Sequence, residues 1–182
     1  MSRFSVLAAA MLLAAAACSH PAPPATAPAS APARTTRAVV PSGPPMPTAA
    51  NAAAYADEVV ARTNTERRAA KLPPYTRSIN LMRAAQLQAD QMAKTGKLEH
   101  DIPGATYPTL GTRLAAAQYP MRAAGENIGE GYRTPAGAVS AWMGSAGHKA
   151  NILSANYTEM GAAMSLGANG AIYWVQVFGR PR

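Results

Sequence analysis

The chain has 182 residues, 17 Lys and Arg against 9 Asp and Glu, a net charge of +8 and a single cysteine. One cysteine excludes an intrachain disulfide, so a folded domain here must be held by its own core. The basic excess forms no aromatic-interleaved cluster, which argues against nucleic-acid binding and for solvated charge that favours anionic surfaces.

Arg3 opens the chain with positive charge, and Val6 to Ala17 is an unbroken apolar run. Spanning a bilayer takes about 20 apolar residues, so residues 1–17 read as a secretory signal peptide. Two processing routes stay open. Ala15-x-Ala17 suits ordinary signal peptidase, which would release a secreted protein. The segment also resembles a bacterial lipobox, with Ala15 where Leu is usual and Cys18 as the lipidated residue. Lipidation at Cys18 is the preferred expectation, because the only cysteine occupies the one position that this chemistry needs. It implies an exported envelope lipoprotein, anchored in a membrane and placed at the outer membrane, facing the periplasm or the surface. Residues 18–47 hold more than half of the sixteen prolines, mixed with Ala, Ser and Thr. Such a stretch buries little apolar surface and favours extended conformations, as a spacer does.

From Asn51 the texture changes, and residues 48–182 are long enough for one monomeric domain with a real core. Asn51 is placed to cap a helix running to about Lys71, with Tyr55, Val59, Val60 and Thr63 inward. Pro73-Pro74 follows it. Ser78 is placed to cap a second helix to Thr95, on which Leu81, Ala84, Ala85, Gln88 and Met92 form the buried stripe. Gly96 is its stop, and His100 falls on the loop beyond. A short helix is expected over Leu110–Gln118 and a strand near Ala123–Ile128. Thr134-Pro135 starts a further helix, with Val139, Trp142 and Met143 on one face. Gly147 is read as its terminator, which leaves His148 just beyond the helix. Ala162–Leu166 and Ala171–Phe178 read as strands joined at Asn169-Gly170, a hairpin signal. The last strand is apolar on both faces, which predicts a central strand covered by helices on each side. The fold class is therefore α+β, a three-layer α/β/α sandwich around a small, mostly antiparallel sheet.

Polar chemistry concentrates in His100, His148 and Glu126. Two imidazoles and a carboxylate form the ligand set of several catalytic zinc sites, and they also suit general acid–base work. Against this stands the plain alternative that each histidine caps a helix or bonds a carbonyl. Ser145, three residues before His148, invites a Ser–His–Glu nucleophile, but no Gly-x-Ser-x-Gly elbow surrounds it. Trp142 and Trp174 follow core periodicities.

The stretches Asn64-Thr65-Glu66-Arg67-Arg68, Leu72-Pro73-Pro74 and Ala84 through His100 resemble the opening of a bacterial CAP domain. That superfamily groups cysteine-rich secretory proteins, antigen 5 and pathogenesis-related proteins (SCP-like extracellular proteins). The likeness continues through Gly125-Glu126-Asn127-Ile128, Trp142 to Leu153 and Tyr173 to Gly179. It implies an α/β/α sandwich with a large cleft lined by His100, Glu126 and His148, flanked by Asn127 and Ser145 and able in some members to hold a divalent metal such as zinc. A second acidic residue usual to the family is Ser145 here, as in other bacterial members. Three functions follow as expectations. The first is a binding module for an apolar, lipid or glycan ligand. The second is a metal-assisted, peptidase-like hydrolase using the same residues. The third is a structural or interaction protein whose polar cluster only stabilises the fold.

Overall fold

The computed structural model describes residues 45–182. The signal segment 1–17, Cys18 and most of the 18–47 spacer lie outside the described residues.

Helix α1 (Ala52–Ala69) buries Tyr55, Val59, Val60, Thr63 and Arg67. It stops short of the expected Lys71, because Lys71 takes a left-handed φ of 59° and the Lys71 and Leu72 N–H groups close on Arg68 O and Arg67 O. Asn51 does not cap it by side chain as expected. Its Oδ1 instead accepts from the Thr48 N–H at 2.7 Å, and its Nδ2 donates to Met46 O at 2.9 Å. The two-residue strand β1 (Thr76–Arg77) was not expected from the sequence. Helix α2 (Ile79–Thr95) ends on Gly96 at φ 69°, a conformation that glycine adopts without a Cβ penalty. Ser78 precedes α2 in extended backbone, again without a side-chain cap. Helix α3 (Leu110–Ala116) carries a reciprocal Thr109–Thr112 capping box.

Strand β2 (Met121–Glu130) leads to α4 (Pro135–Gly144), where the Thr134 hydroxyl accepts from the Gly137 N–H. The chain then departs from expectation. Ser145 is extended at φ −102° and ψ 123°, and a separate helix α5 (Ala146–Ile152) begins directly after it. His148 therefore sits on α5 rather than on a loop past a helix. Gly147 does not terminate anything, since its neighbours on both sides are helical. Strands β3 (Glu159–Leu166) and β4 (Ile172–Pro181) form the antiparallel hairpin, turning through Gly170 at φ 79°.

The sheet order is β1-β3-β4-β2, with β1 parallel to β3 and the other pairs antiparallel. As its two apolar faces predict, β4 is interior and buried from Ile172 to Gly179. One face packs Trp174 and Phe178 against Tyr55, Val59, Val139 and Trp142 of α1 and α4. The other packs Tyr173, Val175 and Val177 against Leu81, Ala85, Met92 and Leu114 of α2 and α3. Each large apolar side chain fully buried this way contributes about 1.5–3 kcal/mol. At Gly161 of β3 a Cβ would overlap the main chain of Leu81 and Met82, so α2 lies directly on the strand.

Strand β2 is an edge, and the ladder fixes which of its groups face out. Gly131 N–H donates to Ile172 O, whereas Gly179, opposite Ala124, turns its carbonyl to Thr158 N–H on the other side. Antiparallel pairs alternate in bonding, so Ala124, Glu126 and Ile128 direct their main-chain groups away from β4. All three outward carbonyls are capped by side chains. Tyr157 Oη donates to Ala124 O at 3.3 Å, Asn151 Nδ2 to Glu126 O at 3.3 Å, and Trp142 Nε1 to Ile128 O at 2.9 Å.

Candidate functional site

The loop after α2 is pinned from below, which gives His100 a fixed base. Gln88 Nε2 donates to Glu99 O at 2.6 Å and His100 O at 3.1 Å. Gln91 holds Tyr107 at the far end of the loop, accepting from its N–H and donating to its carbonyl. Glu126 rises from β2 on the same face of the sheet. His100 Nδ1–H donates to Glu126 Oε1 at 2.9 Å, a bond that requires the proton on Nδ1 because an ionised carboxylate only accepts. The imidazole is 54% exposed while the carboxylate is 3% exposed.

A third group completes this pair, and sequence reasoning missed it. Arg113 of α3 is 0% exposed and its Nη2 donates to both Glu126 oxygens, at 3.1 and 2.9 Å, and to His100 O at 3.1 Å. Charge-assisted bonds of this kind stabilise an ionised carboxylate that burial alone would penalise. The signal was present: Leu110, Arg113, Leu114 and Ala117 share one helical stripe, and an arginine on an apolar stripe needs a buried partner.

His148 reaches the site from the other side of the edge strand, positioned by a chain of buried amides. Thr63 Oγ1 accepts from Gln176 Nε2 at 2.7 Å, and Gln176 Oε1 accepts from Asn127 Nδ2 at 3.0 Å. Asn127 Nδ2 also donates to His148 O at 3.1 Å, while its Oδ1 accepts from Asn151 Nδ2 at 2.9 Å. Asn127, singled out as a neighbour of the site, thus acts through the main chain of α5. Ser145 sits at the α4–α5 junction, and no hydrogen bond joins its hydroxyl to His148 among the described residues.

The two histidines differ electrostatically. The hydrogen bond that His100 donates to Glu126 raises the His100 pKa above its ordinary value, against burial and the Arg113 charge. Burial, with the nearby His100 charge second, lowers that of His148. Near neutrality His100 therefore holds a proton more readily than His148 does, which suits one for donating and the other for accepting or ligating. For a divalent metal, the imidazole nitrogens not already bonded are suitable donors. Glu126 is committed to Arg113 and His100, and no group of three His, Cys, Asp or Glu is placed to hold an ion among the described residues. Any ion there would have the two imidazoles as its donors, with Glu126 as the hydrogen-bond partner that orients the His100 ring.

Cavities of substantial volume lie elsewhere. One of about 910 Å³ opens between the start of α1, α2 and the end of β3, beside Gln86, Asp90 and Leu166. The expectation of a large cleft walled by both histidines does not describe either this cavity or a smaller one of about 340 Å³ beside β2.

The arrangement has relatives. The Bacillus subtilis protein YkwD, itself uncharacterized, is 33% identical over 127 residues, covering 70% of this chain and 48% of its own length. The chain thus spans about half the length of the curated relative it matches. An extracellular SCP-domain protein from Bacillus anthracis superposes with a TM-score of 0.65 at 26% identity, covering 76% of this chain and 45% of that one. An outer surface protein from Borrelia burgdorferi gives 0.63 at 17% identity, covering 69% and 92%, a likeness of fold alone. The pattern of the cysteine-rich secretory protein family (CAP) matches residues 60–178, and with the fold and these relatives it shows that the chain belongs to that family.

Proposed function

We propose that this chain is an exported envelope protein whose domain binds an apolar, lipid or glycan ligand and orients the ligand's polar group with His100 and His148. The observation that carries this reading is the commitment of Glu126. A carboxylate held on both oxygens by Arg113 and on one by His100 is poorly placed to act as a general base or as a third metal ligand. It is well placed to fix the tautomer and direction of the His100 ring. Export is supported by the Bacillus anthracis relative described as an extracellular protein. Lipidation at Cys18 would tether the domain, with residues 18–47 as spacer.

A second reading is favoured by the His100 Nδ1–H bond to Glu126, which leaves Nε2 of an oriented ring free to meet an ion. In a metal-assisted hydrolase, His100 and His148 would hold the ion and Glu126 would orient His100. A bound zinc would supply polarisation of a substrate carbonyl or of water.

Zinc titration of the full chain by calorimetry, beside His100→Ala and His148→Ala, separates the two. Micromolar binding lost in both variants favours the metal site and directs attention to peptide and ester hydrolysis. No zinc binding, with lipid or glycan binding that His100→Ala removes, supports the binding module. Failure of both assays in folded protein overturns both readings and leaves a structural role. The anchor has its own test, since Cys18→Ser should shift the protein from the detergent to the aqueous phase on phase separation.

A further inference from the structure

The outward edge of β2 is chemically one-sided. The carbonyls of Ala124, Glu126 and Ile128 are taken by Tyr157, Asn151 and Trp142. The N–H groups of the same three residues have no partner among the described residues. A bare sheet edge alternates donors and acceptors and suits another strand. An edge with its acceptors filled and its donors free suits a ligand that brings acceptors only.

Two further observations locate such a ligand. Glu126 as a whole is 8% exposed while its side chain is 3% exposed, so the solvent that reaches this residue reaches its main chain. Two residues back, about 7 Å along the strand, Ala124 lines a cavity of about 340 Å³ together with Arg122, Ala123, Asn156, Tyr157 and Arg180. Tyr157, whose hydroxyl caps Ala124 O, also lines this cavity, which puts the cavity beside the outward side of Ala124. Arg180 is held rigidly there, its Nε donating to Asn156 O at 2.9 Å and its Nη2 to Ala155 O at 2.8 Å. Arg122 makes no hydrogen bond among the described residues. The cavity is thus lined by two arginines and lies beside Ala124, whose N–H points outward, and no carboxylate residue lines it.

We infer that the free edge of β2 between Arg122 and Glu126 is an oxyanion subsite, which takes a carboxylate or phosphate group of the ligand whose remainder lies beside His100. Placing that remainder rests on the reading under Proposed function; the subsite itself rests on the edge donors and the two arginines. Guanidinium groups supply the charge and the forked donors that planar oxyanions accept. The Ala124 and Glu126 N–H groups fix the ligand's line along the strand. The Glu126 carboxylate does not oppose it, being neutralised by Arg113 on the inner side.

The test is an amide-resolved titration of the full chain by ¹H–¹⁵N correlation spectra. Sodium acetate and inorganic phosphate are the probes, at an ionic strength held constant with chloride. The Ala124 and Glu126 amides should shift and saturate with one or both anions and stay still with chloride. The anion that saturates first assigns the carboxylate or the phosphate source. Arg122→Ala should weaken binding about tenfold, the worth of one charge-assisted hydrogen bond. Ala124→Pro removes the donor while keeping the capped carbonyl, a change that an outward edge position accommodates. It should weaken binding similarly. Should the proline variant not fold, Arg122→Ala decides the matter. Silent amides at 124 and 126 with both anions, or unchanged affinity in folded Arg122→Ala, would overturn the subsite. Ligand binding that depends on His100 while these amides stay silent would also overturn it, leaving the broader function intact.

Discussion

At the scale of the residue, the site is a set of proton affinities held apart by neighbours. Glu126→Gln weakens the hydrogen bond and removes the charge that together raise the His100 pKa, so the His100 titration followed by NMR should move to lower pH. An unchanged titration would mean that Glu126 does not set it. The two histidines act oppositely on stability. The raised His100 contributes stability below its ordinary pKa, and this is lost as pH rises through its folded value. The lowered His148 favours the unfolded chain once protonated, so its contribution is lost as pH falls from its ordinary value toward its folded value. Arg113 is the structural hinge of the group. Arg113→Met leaves Glu126 buried without its cation, and denaturant unfolding should show a loss of about 3–5 kcal/mol. Replacing Glu126 by Gln in the same chain should restore part of that loss. Equal stability of the single variant and the wild type would remove Arg113 from this role. His100 and Glu126 were legible as candidates because residues 48–182 hold only two histidines and Glu126 is flanked by small and apolar neighbours. Their bond to each other was not legible, because they lie 26 positions apart with helix α3 between them.

At the scale of the element, helices were easier to read than the places where they break. The α2 stripe from Leu81 to Met92 and its Gly96 stop follow directly from periodicity and backbone freedom. Ser145 was harder. Gly144 weakens the helix end, but nothing local in Met143-Gly144-Ser145-Ala146 shows that a second helix starts at once, and the break into α4 and α5 follows from docking. Trp142 reaches Ile128 O, while the α5 main chain is drawn to Asn127. The strand β1 escaped because two residues carry no period. Tight seating of α2 on β3 makes its own prediction. Gly161→Ala forces a methyl into the Leu81–Met82 main chain and should cost about 3 kcal/mol or more, read as a lower denaturation midpoint. A change under about 0.5 kcal/mol, within the ordinary range for neutral surface sites, would mean that helix and strand are not so closely apposed.

At the scale of the whole molecule, the three-layer arrangement was legible chiefly from β4, whose alternate positions Trp174, Gln176 and Phe178 and Tyr173, Val175 and Val177 are both buried. A strand that is apolar on both faces has to be central. That placement has a consequence in time. Strands β1, β2 and β3 all precede β4 in the sequence, yet β2 reaches β3 only through it. The amide chain that sets His148 likewise waits for Gln176, which meets Thr63 across 113 positions. While the chain is being made from its N-terminus, helices can form early, but the sheet has no middle until residues 172–181 emerge. Such a polypeptide stays open until the end of its synthesis, which accords with the export proposed above, since threading through a translocation pore requires an unfolded chain.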